Sequence, residues 1–315
     1  MKQPAGSDLR VHPLVLGGNV FGWTSDVATS HRILDAFVEG GGTLVDTADS
    51  YSVWAPGHSG GESEEVIGAW LARRGSRDVA IATKVGQHPQ FRGLGADNVV
   101  AAAEASLTRL GMEAIDLYYA HIDDEDTPLE ETVGAFDRLV REGKVRHMGL
   151  SDFRAERVDA WVETAARLGA APPVALQPEY SLVRRDVYEP DLLAAAGRHG
   201  LRVMPYFALA SGFLTGKYRT EEDLATAPRG PMAKRYLTSA GLRVVDVLAD
   251  VAEAHSTQIA TIALAWVLAR PHVSAVPAGA SRPGQLPALL EAARVRLTEE
   301  EMDALTRASE AVSRR

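Results

Sequence analysis

Asp46, Tyr51, Lys84 and His121 are the side chains of this 315-residue chain whose types and spacing suit proton transfer. A tyrosine hydroxyl has an ordinary pKa of about 10, so a phenol that is to act as an acid near neutrality needs a cation beside it. Lys84 can supply that cation, Asp46 can be its counter-ion, and His121 can be a second hydrogen-bond donor. Lowering the phenol's pKa by about two would take roughly 3 kcal/mol of differential interaction, which one close, partly buried ammonium can provide. Such a set meets the needs of carbonyl reduction, because hydride arrival at carbon turns the oxygen into an alkoxide that must be protonated or stabilised as it forms. Each residue alone also has a plainer use. Lys84 could be a solvated strand end, Asp46 a loop cap, Tyr51 a packing residue, and His121 part of an acidic loop or, with Asp123 or Asp124, of a metal-dependent hydrolase site. No second His stands near His121 at ligand spacing, which favours the solvated loop.

The elements that must position these residues are legible in the pattern. Leu44 and Val45 are apolar and β-prone, and Asp46, Thr47, Asp49 and Ser50 then break the run, as at a buried strand that ends in a polar loop. Apolar runs at 79–84 and 115–121 end in Lys84 and His121 in the same way. Strands are expected at 14–18, 43–48, 79–85, 115–122, 145–151, 174–177, 202–206 and 273–277. Between them lie helices of 3.6-residue periodicity. These begin near Ser30, with Ile33, Leu34, Phe37 and Val38 on one face, and near Ser63, a plausible cap. The others are expected at 97–110, 130–141 (closed by Glu142-Gly143), 154–168, 191–199, 242–254 with 259–268, and 285–292. Eight strand-helix pairs predict an α/β fold, a closed (β/α)8 TIM barrel forming one domain over 1–315, with strand carboxyl ends gathered on one face. Residues 52–62 and 212–234, rich in Gly and Pro with little periodicity, are expected as loops over that face. Thr298 to Glu301 begins like a capping box and opens an additional C-terminal helix.

Composition narrows the function classes. With 46% hydrophobic and 24% charged residues the chain is an ordinary globular sequence. A net charge of −9, a pI near 5.5 and no cluster of Lys and Arg argue against a nucleic-acid partner. The absence of cysteine removes disulfides, thiolate catalysis and Cys-ligated zinc. No window reaches the roughly 18 apolar residues of a membrane span, and the first residues, with Lys2, Asp8 and Arg10, do not form a secretory signal. A cytoplasmic enzyme with no membrane partner and no metal is the expectation; nothing in the sequence sets its oligomeric state. Phe21, Trp23, Trp54 and the segment 212–234 could line a pocket for an apolar or ring-bearing small-molecule carbonyl substrate. No Gly-x-Gly-x-x-Gly follows an early strand, so a Rossmann site is not expected.

The motifs carry a resemblance. Asp46 and Tyr51 in Asp-Thr-Ala-x-x-Tyr, Lys84 in Ala-Thr-Lys and His121 in Asp-Leu-Tyr-x-x-His resemble the catalytic tetrad of the aldo-keto reductase superfamily. Gly149-Leu-Ser-Asp-Phe153 is similar to the family's Gly-x-Ser-Asn-Phe, Gln177-Pro-Glu-Tyr-Ser-Leu182 to its Gln-x-x-Tyr-Ser, and Leu214-Thr-Gly-Lys-Tyr218 to its phosphate-side loop. Gly279-Ala-Ser-Arg-Pro-Gly-Gln-Leu286 resembles the segment holding the adenosine end of NADP. The resemblance spans about 14 to 305 and implies an NADPH-dependent reductase of aldehydes or ketones, or, since the superfamily includes them, an NADP-binding auxiliary channel subunit. It implies that Ser151, Asp152 and Gln177 hold the nicotinamide carboxamide and that Tyr206 stacks beneath the ring. Gly18, Asn19 and Asp46 would flank the cofactor near the reacting carbon. Leu209, Ser211, Phe213 and Lys217 would line the pyrophosphate, with Gly279, Ser281 and Arg282 at the 2′-phosphate end and Gln285 on the adenine. Arg and Ser suit a phosphate monoester, hence NADP(H) over NAD(H). Three positions depart from the family pattern: Asp152 stands for Asn, Phe207-Ala208 for Ser-Pro, and Leu289 for an adenine-side Asn. They bear on dinucleotide affinity and leave the four reactive residues intact.

Overall fold

The computed structural model describes residues 9–75 and 78–313; the reading of Lys2 and Asp8 lies outside them. Eight parallel strands follow one another as β1 (Leu14–Gly17), β2 (Leu44–Asp46), β3 (Ala80–Val85), β4 (Ile115–Ala120), β5 (Val145–Ser151), β6 (Ala175–Gln177), β7 (Arg202–Val203) and β8 (Val276–Ala278). Each pairs with its sequence neighbour, and β8 pairs back to β1. The remaining gap is closed by backbone bonds on either side of Val203, from its N–H to the His272 carbonyl and from the Ser274 N–H to its own carbonyl. The result is the (β/α)8 architecture expected from the pattern.

Helices connect the strands: α1 (Val27–Glu39), α2 (Glu62–Arg74), α3 (Ala96–Leu110), α4 (Leu129–Arg141), α5 (Ala155–Leu168), α6 (Asp191–His199), α7 (Ser239–Ala254), α8 (Ile259–Leu268) and α9 (Leu286–Glu291). α1 begins before Ser30 because the Asp26 side chain accepts from the Thr29 N–H and caps it there. Ser63 is not a cap: α2 starts from Gly61, and the Ser63 hydroxyl instead donates to the Gly18 carbonyl. The last helix, α10 (Glu299–Ser313), opens with the expected reciprocal bonds between Thr298 and Glu301. Missed by the pattern are a two-stranded hairpin, Gln87–His88 with Phe91–Arg92, and short helices Glu221–Ala225 and Gly230–Ala233 inside the long loop. Gly68 lets α2 approach α3, since a Cβ there would lie 2.1 Å from the Arg109 carbonyl oxygen.

Side-chain alternation divides the strands between two cores. Val45, Ile81, Tyr118, Met148, Leu150 and Leu176 face outward and meet the helices. Leu44, Ala82, Leu117, Tyr119 and Ala175 face into the barrel, joined by Leu9 and Val11. Because the strand period is two, whatever follows an inward residue by two positions also points inward. Asp46 follows Leu44, Lys84 follows Ala82, Gln177 follows Ala175, and His121 follows Tyr119 just past the strand end. The apolar plug of the barrel therefore ends in a polar layer at the carboxyl face.

Candidate active site

That polar layer is centred on Lys84, whose side chain is 0% exposed. Its ammonium donates to Asp46 Oδ2 at 2.7 Å, to the Thr47 carbonyl at 2.7 Å and to the Tyr51 hydroxyl at 3.0 Å. Gln177 Nε2 donates to the other Asp46 oxygen at 3.1 Å, and the Ser151 hydroxyl donates to the Gln177 carbonyl. A buried charge needs partners that replace water, and these bonds supply them. Burial opposes the charge on Lys84, yet Asp46 and Tyr51 outweigh it and hold the ammonium above its ordinary pKa. For Tyr51 the balance runs the other way from the sequence expectation. Burial raises the phenol's pKa, and the pull of Lys84 offsets that without reversing it. Depth of burial, which no motif encodes, decides the sign.

Tyr51 opens onto a cavity of about 500 Å³ that Trp23, Trp54, His121, Asp152, Tyr206, Arg229 and Met232 help to line. The Tyr51 and His121 rings lie 6.1 Å apart, and Trp23 and Trp54 meet edge to face at 5.6 Å. Burial, and secondarily the Lys84 charge, push the His121 pKa well below the ordinary imidazole value, so the ring is neutral at physiological pH. Its Nδ1 is buried without a hydrogen-bond partner among the described residues. The acidic residues after His121 stand elsewhere. Asp123 pairs with Arg157, and Asp124 accepts from the Leu94 N–H and the Thr127 hydroxyl. Among the described residues no group of His, Asp and Glu is placed to hold a metal.

A second cleft of about 570 Å³ adjoins the first and shares Asn19, Tyr51, Tyr206 and Arg229 with it. It runs past Leu209, Ser211 and Lys217 to Gly279, Ser281, Arg282 and Gln285. Ser211 and Gly212 both have positive φ (57° and 91°), and the Ser211 hydroxyl is buried with no partner among the described residues. Gly279 keeps the floor low, because a Cβ there would come within 3.0 Å of Asn19 Oδ1 and 3.2 Å of the Gly17 carbonyl. Gln285 Oε1 accepts from the Ser281 and Arg282 N–H groups, leaving its amide nitrogen for another partner.

Four expected positions fall outside both cavities: Lys84, buried behind Tyr51, and Gly18, Phe21 and Phe213. Phe21 and Phe213 are 0% exposed core residues; Phe213 meets Tyr236. Gly18 stands between the lining residues Gly17 and Asn19, its N–H donating to the Asp46 carbonyl and its carbonyl accepting from Ser63. Arg229 is the residue that sequence reasoning passed over. It lies at the seam of the two cavities, bonded to Asn19 Oδ1 at 3.1 Å and set over the Trp23 ring. Burial lowers its pKa, and among the described residues no carboxylate pairs with it. The only signal was that it sits in the loop 212–234.

Residues 13–310 match the Aldo/keto reductase family. The chain belongs to that family. An aldo-keto reductase of Strobilurus tenacellus is 36% identical over 287 residues, covering 89% of this chain and 80% of that protein. A probable voltage-gated potassium channel subunit beta of Arabidopsis thaliana is 33% identical, covering 89% and 87%. An L-glyceraldehyde 3-phosphate reductase of Escherichia coli is 32% identical, covering 89% and 83%. Membership of the aldo/keto reductase family supports an oxidoreductase, and the family generally uses NAD(P)H.

Proposed function

We propose that this chain is an NADPH-dependent reductase that converts an aldehyde or ketone to an alcohol, with Tyr51 giving the proton. The observation that carries the reading is the Tyr51 hydroxyl held 3.0 Å from the buried Lys84 ammonium at the wall of an aromatic-lined cavity. A bound nicotinamide supplies the hydride. Tyr51 remains protonated through the neutral range because burial raises its pKa, so it waits as an acid and releases its proton only to an oxygen becoming alkoxide. Lys84 steadies the tyrosinate left behind, and Asp46 and Gln177 keep Lys84 in place. His121 is the second donor. An unpartnered buried Nδ1 is less costly as a bare acceptor than as an N–H, which favours the proton on Nε2 and a neutral donor for the substrate oxygen.

The donor set of the second cleft fits a phosphorylated dinucleotide. Lys217, Arg229 and Arg282 give it three cations, Ser211 has a hydroxyl without a partner, and Gly279 leaves room for close approach. Ser151, Asp152 and Gln177 would hold the carboxamide, with Tyr206 beneath the ring and Asn19 and Asp46 beside it. Leu209, Ser211, Lys217 and Arg229 would meet the pyrophosphate, Ser281 and Arg282 the 2′-phosphate, and Gln285 the adenine. Trp23, Trp54 and Met232 favour an apolar or ring-bearing carbonyl compound.

Absorbance of NADPH followed with a panel of aliphatic and aromatic aldehydes and ketones tests the reading. Consumption with at least one is expected, together with tighter binding of NADPH than NADH. Tight dinucleotide binding without any turnover would favour an auxiliary subunit, as the channel-subunit relatives suggest. Tighter NADH binding would remove the roles given to Ser281 and Arg282.

A further inference from the structure

Asp152 stands where the two cavities meet, and its surroundings are unlike those of an amide. It follows β5 with φ of 55°, a left-handed conformation that Asp and Asn both tolerate. Among the described residues only the Tyr206 hydroxyl bonds to it, donating to Oδ1 at 2.8 Å. Asp152 lines the cavity that Tyr51, His121 and Arg229 also line. Glu179, beyond β6, adds negative potential, and Lys84 on β3 adds positive. Arg154, the nearest cation along the chain, is turned away to Glu125. Among the described residues no cation is bonded to this carboxylate, and its one side-chain bond ties it to the Tyr206 hydroxyl.

We propose that Asp152 makes the pocket discriminate between the two redox forms of the nicotinamide, its carboxylate favouring the cationic oxidised ring over the neutral reduced one. The inference rests on the reading of Tyr206 as the platform beneath that ring. A ring lying there is held beside the carboxylate that the Tyr206 hydroxyl touches, and attraction to a positive ring has no counterpart for a neutral one. An Asn at this position would bond to the carboxamide alike in both forms. Binding of NADP+ and proton loss from Asp152 are then linked, and by reciprocity each promotes the other. Burial raises this carboxyl to about 6, with Tyr206 pulling it partly back, so the linkage falls in an accessible pH range. The cofactor's own 2′-phosphate titrates near pH 6 as other phosphate monoesters do. It is common to both redox forms, so the ratio of their dissociation constants cancels it.

The test is the ratio Kd(NADP+)/Kd(NADPH), measured by calorimetry from pH 5 to 8 on the wild-type protein, Asp152→Asn and Tyr206→Phe, with adenosine 2′,5′-bisphosphate as a probe lacking nicotinamide. In the wild type the ratio should fall about tenfold as pH rises, the scale of one charge pair a few ångströms apart near a protein surface. Asp152→Asn should flatten it. Tyr206→Phe removes the bond that favours the ionised acid, so the midpoint should move to higher pH. A flat ratio in the wild type, or the same fall in Asp152→Asn, overturns the inference, and the wild-type arm decides even if a variant fails to fold. If the bisphosphate and both dinucleotides bind while the ratio stays flat, only the role of Asp152 is lost. If none of the three binds, the cofactor site itself is wrong and the inference goes with it.

Discussion

Two buried ion pairs are anchored at adjacent residues of β3. On the inner face Lys84 joins Asp46 at 2.7 Å, with side chains 0% and 5% exposed. On the outer face the Thr83 hydroxyl donates to Glu64, which Arg109 also meets at 2.6 Å; Glu64 is 0% exposed. By distance and by the depth of their carboxylates the two are hard to tell apart, although the Arg109 side chain keeps 17% exposure. The inner pair carries a third, titratable partner, Tyr51, which reaches a cavity. The outer pair lies between α2, α3 and the sheet, and neither of its members lines either cavity. Beside it sits Asp49, a 0% exposed carboxylate whose side-chain oxygens have no hydrogen-bond partner among the described residues. A buried charge pair is therefore not by itself a mark of chemistry. Under the proposed function, access to a cavity through a group that can gain or lose a proton is what separates the inner pair from the outer one.

Substitutions at the two pairs should part accordingly, and the largest effect is expected on the inner face. Lys84→Met should lower turnover about 100-fold or more, because Tyr51 loses the charge that stabilises its anion. Steady-state NADPH oxidation reads this out, and near-normal turnover would merge the two classes. On the outer face Arg109→Met leaves Glu64 buried and uncompensated, which should cost about 3 kcal/mol of stability by urea titration. The folded protein should keep its specific activity; a large loss of turnover in fully folded Arg109→Met would give the outer pair a part in the chemistry. The smallest effect concerns Asp49, whose pKa burial, and then Glu64, push well above the usual carboxylate range. A raised folded pKa contributes stability that is complete below the unfolded value and is lost as pH rises through the folded one. Stability should therefore decline with rising pH by no more than about 1.4 kcal/mol per pH unit for this one proton. Asp49→Asn should flatten that slope; an unchanged slope would mean another group is responsible.

The contrast also shows what the sequence could and could not convey. Lys84 and Thr83 are adjacent letters in Ala-Thr-Lys, yet alternation sends one inward and the other outward, and that much follows from a period of two. Asp46 and His121 were read from the ends of apolar runs and Gln177 from the family motif, while the strand and helix order led directly to the barrel. Glu64 and Arg109 raised no signal, because their meeting depends on how α2 and α3 close over the outside of the sheet. Phe21 was expected in the pocket as an aromatic near Trp23, and Phe213 at the pyrophosphate from the family resemblance, but a side chain's direction in an irregular segment has no period to follow. Arg229 was hidden for the same reason, in a loop whose two short helices carry too few residues for periodicity. The sign of the Tyr51 shift was missed because the ammonium is visible in the sequence and the depth of burial is not.

The most direct test of the account is the single-turnover rate of NADPH oxidation by Tyr51→Phe with a good carbonyl substrate, measured on protein whose NADPH affinity has been determined in the same preparation. Loss of one phenolic proton should slow the step by about 10²- to 10⁴-fold, with NADPH affinity within a factor of about two of the wild type. A rate close to the wild type at full cofactor occupancy would mean that another group gives the proton, and the reading of Tyr51 and Lys84 as the reactive pair would have to be abandoned.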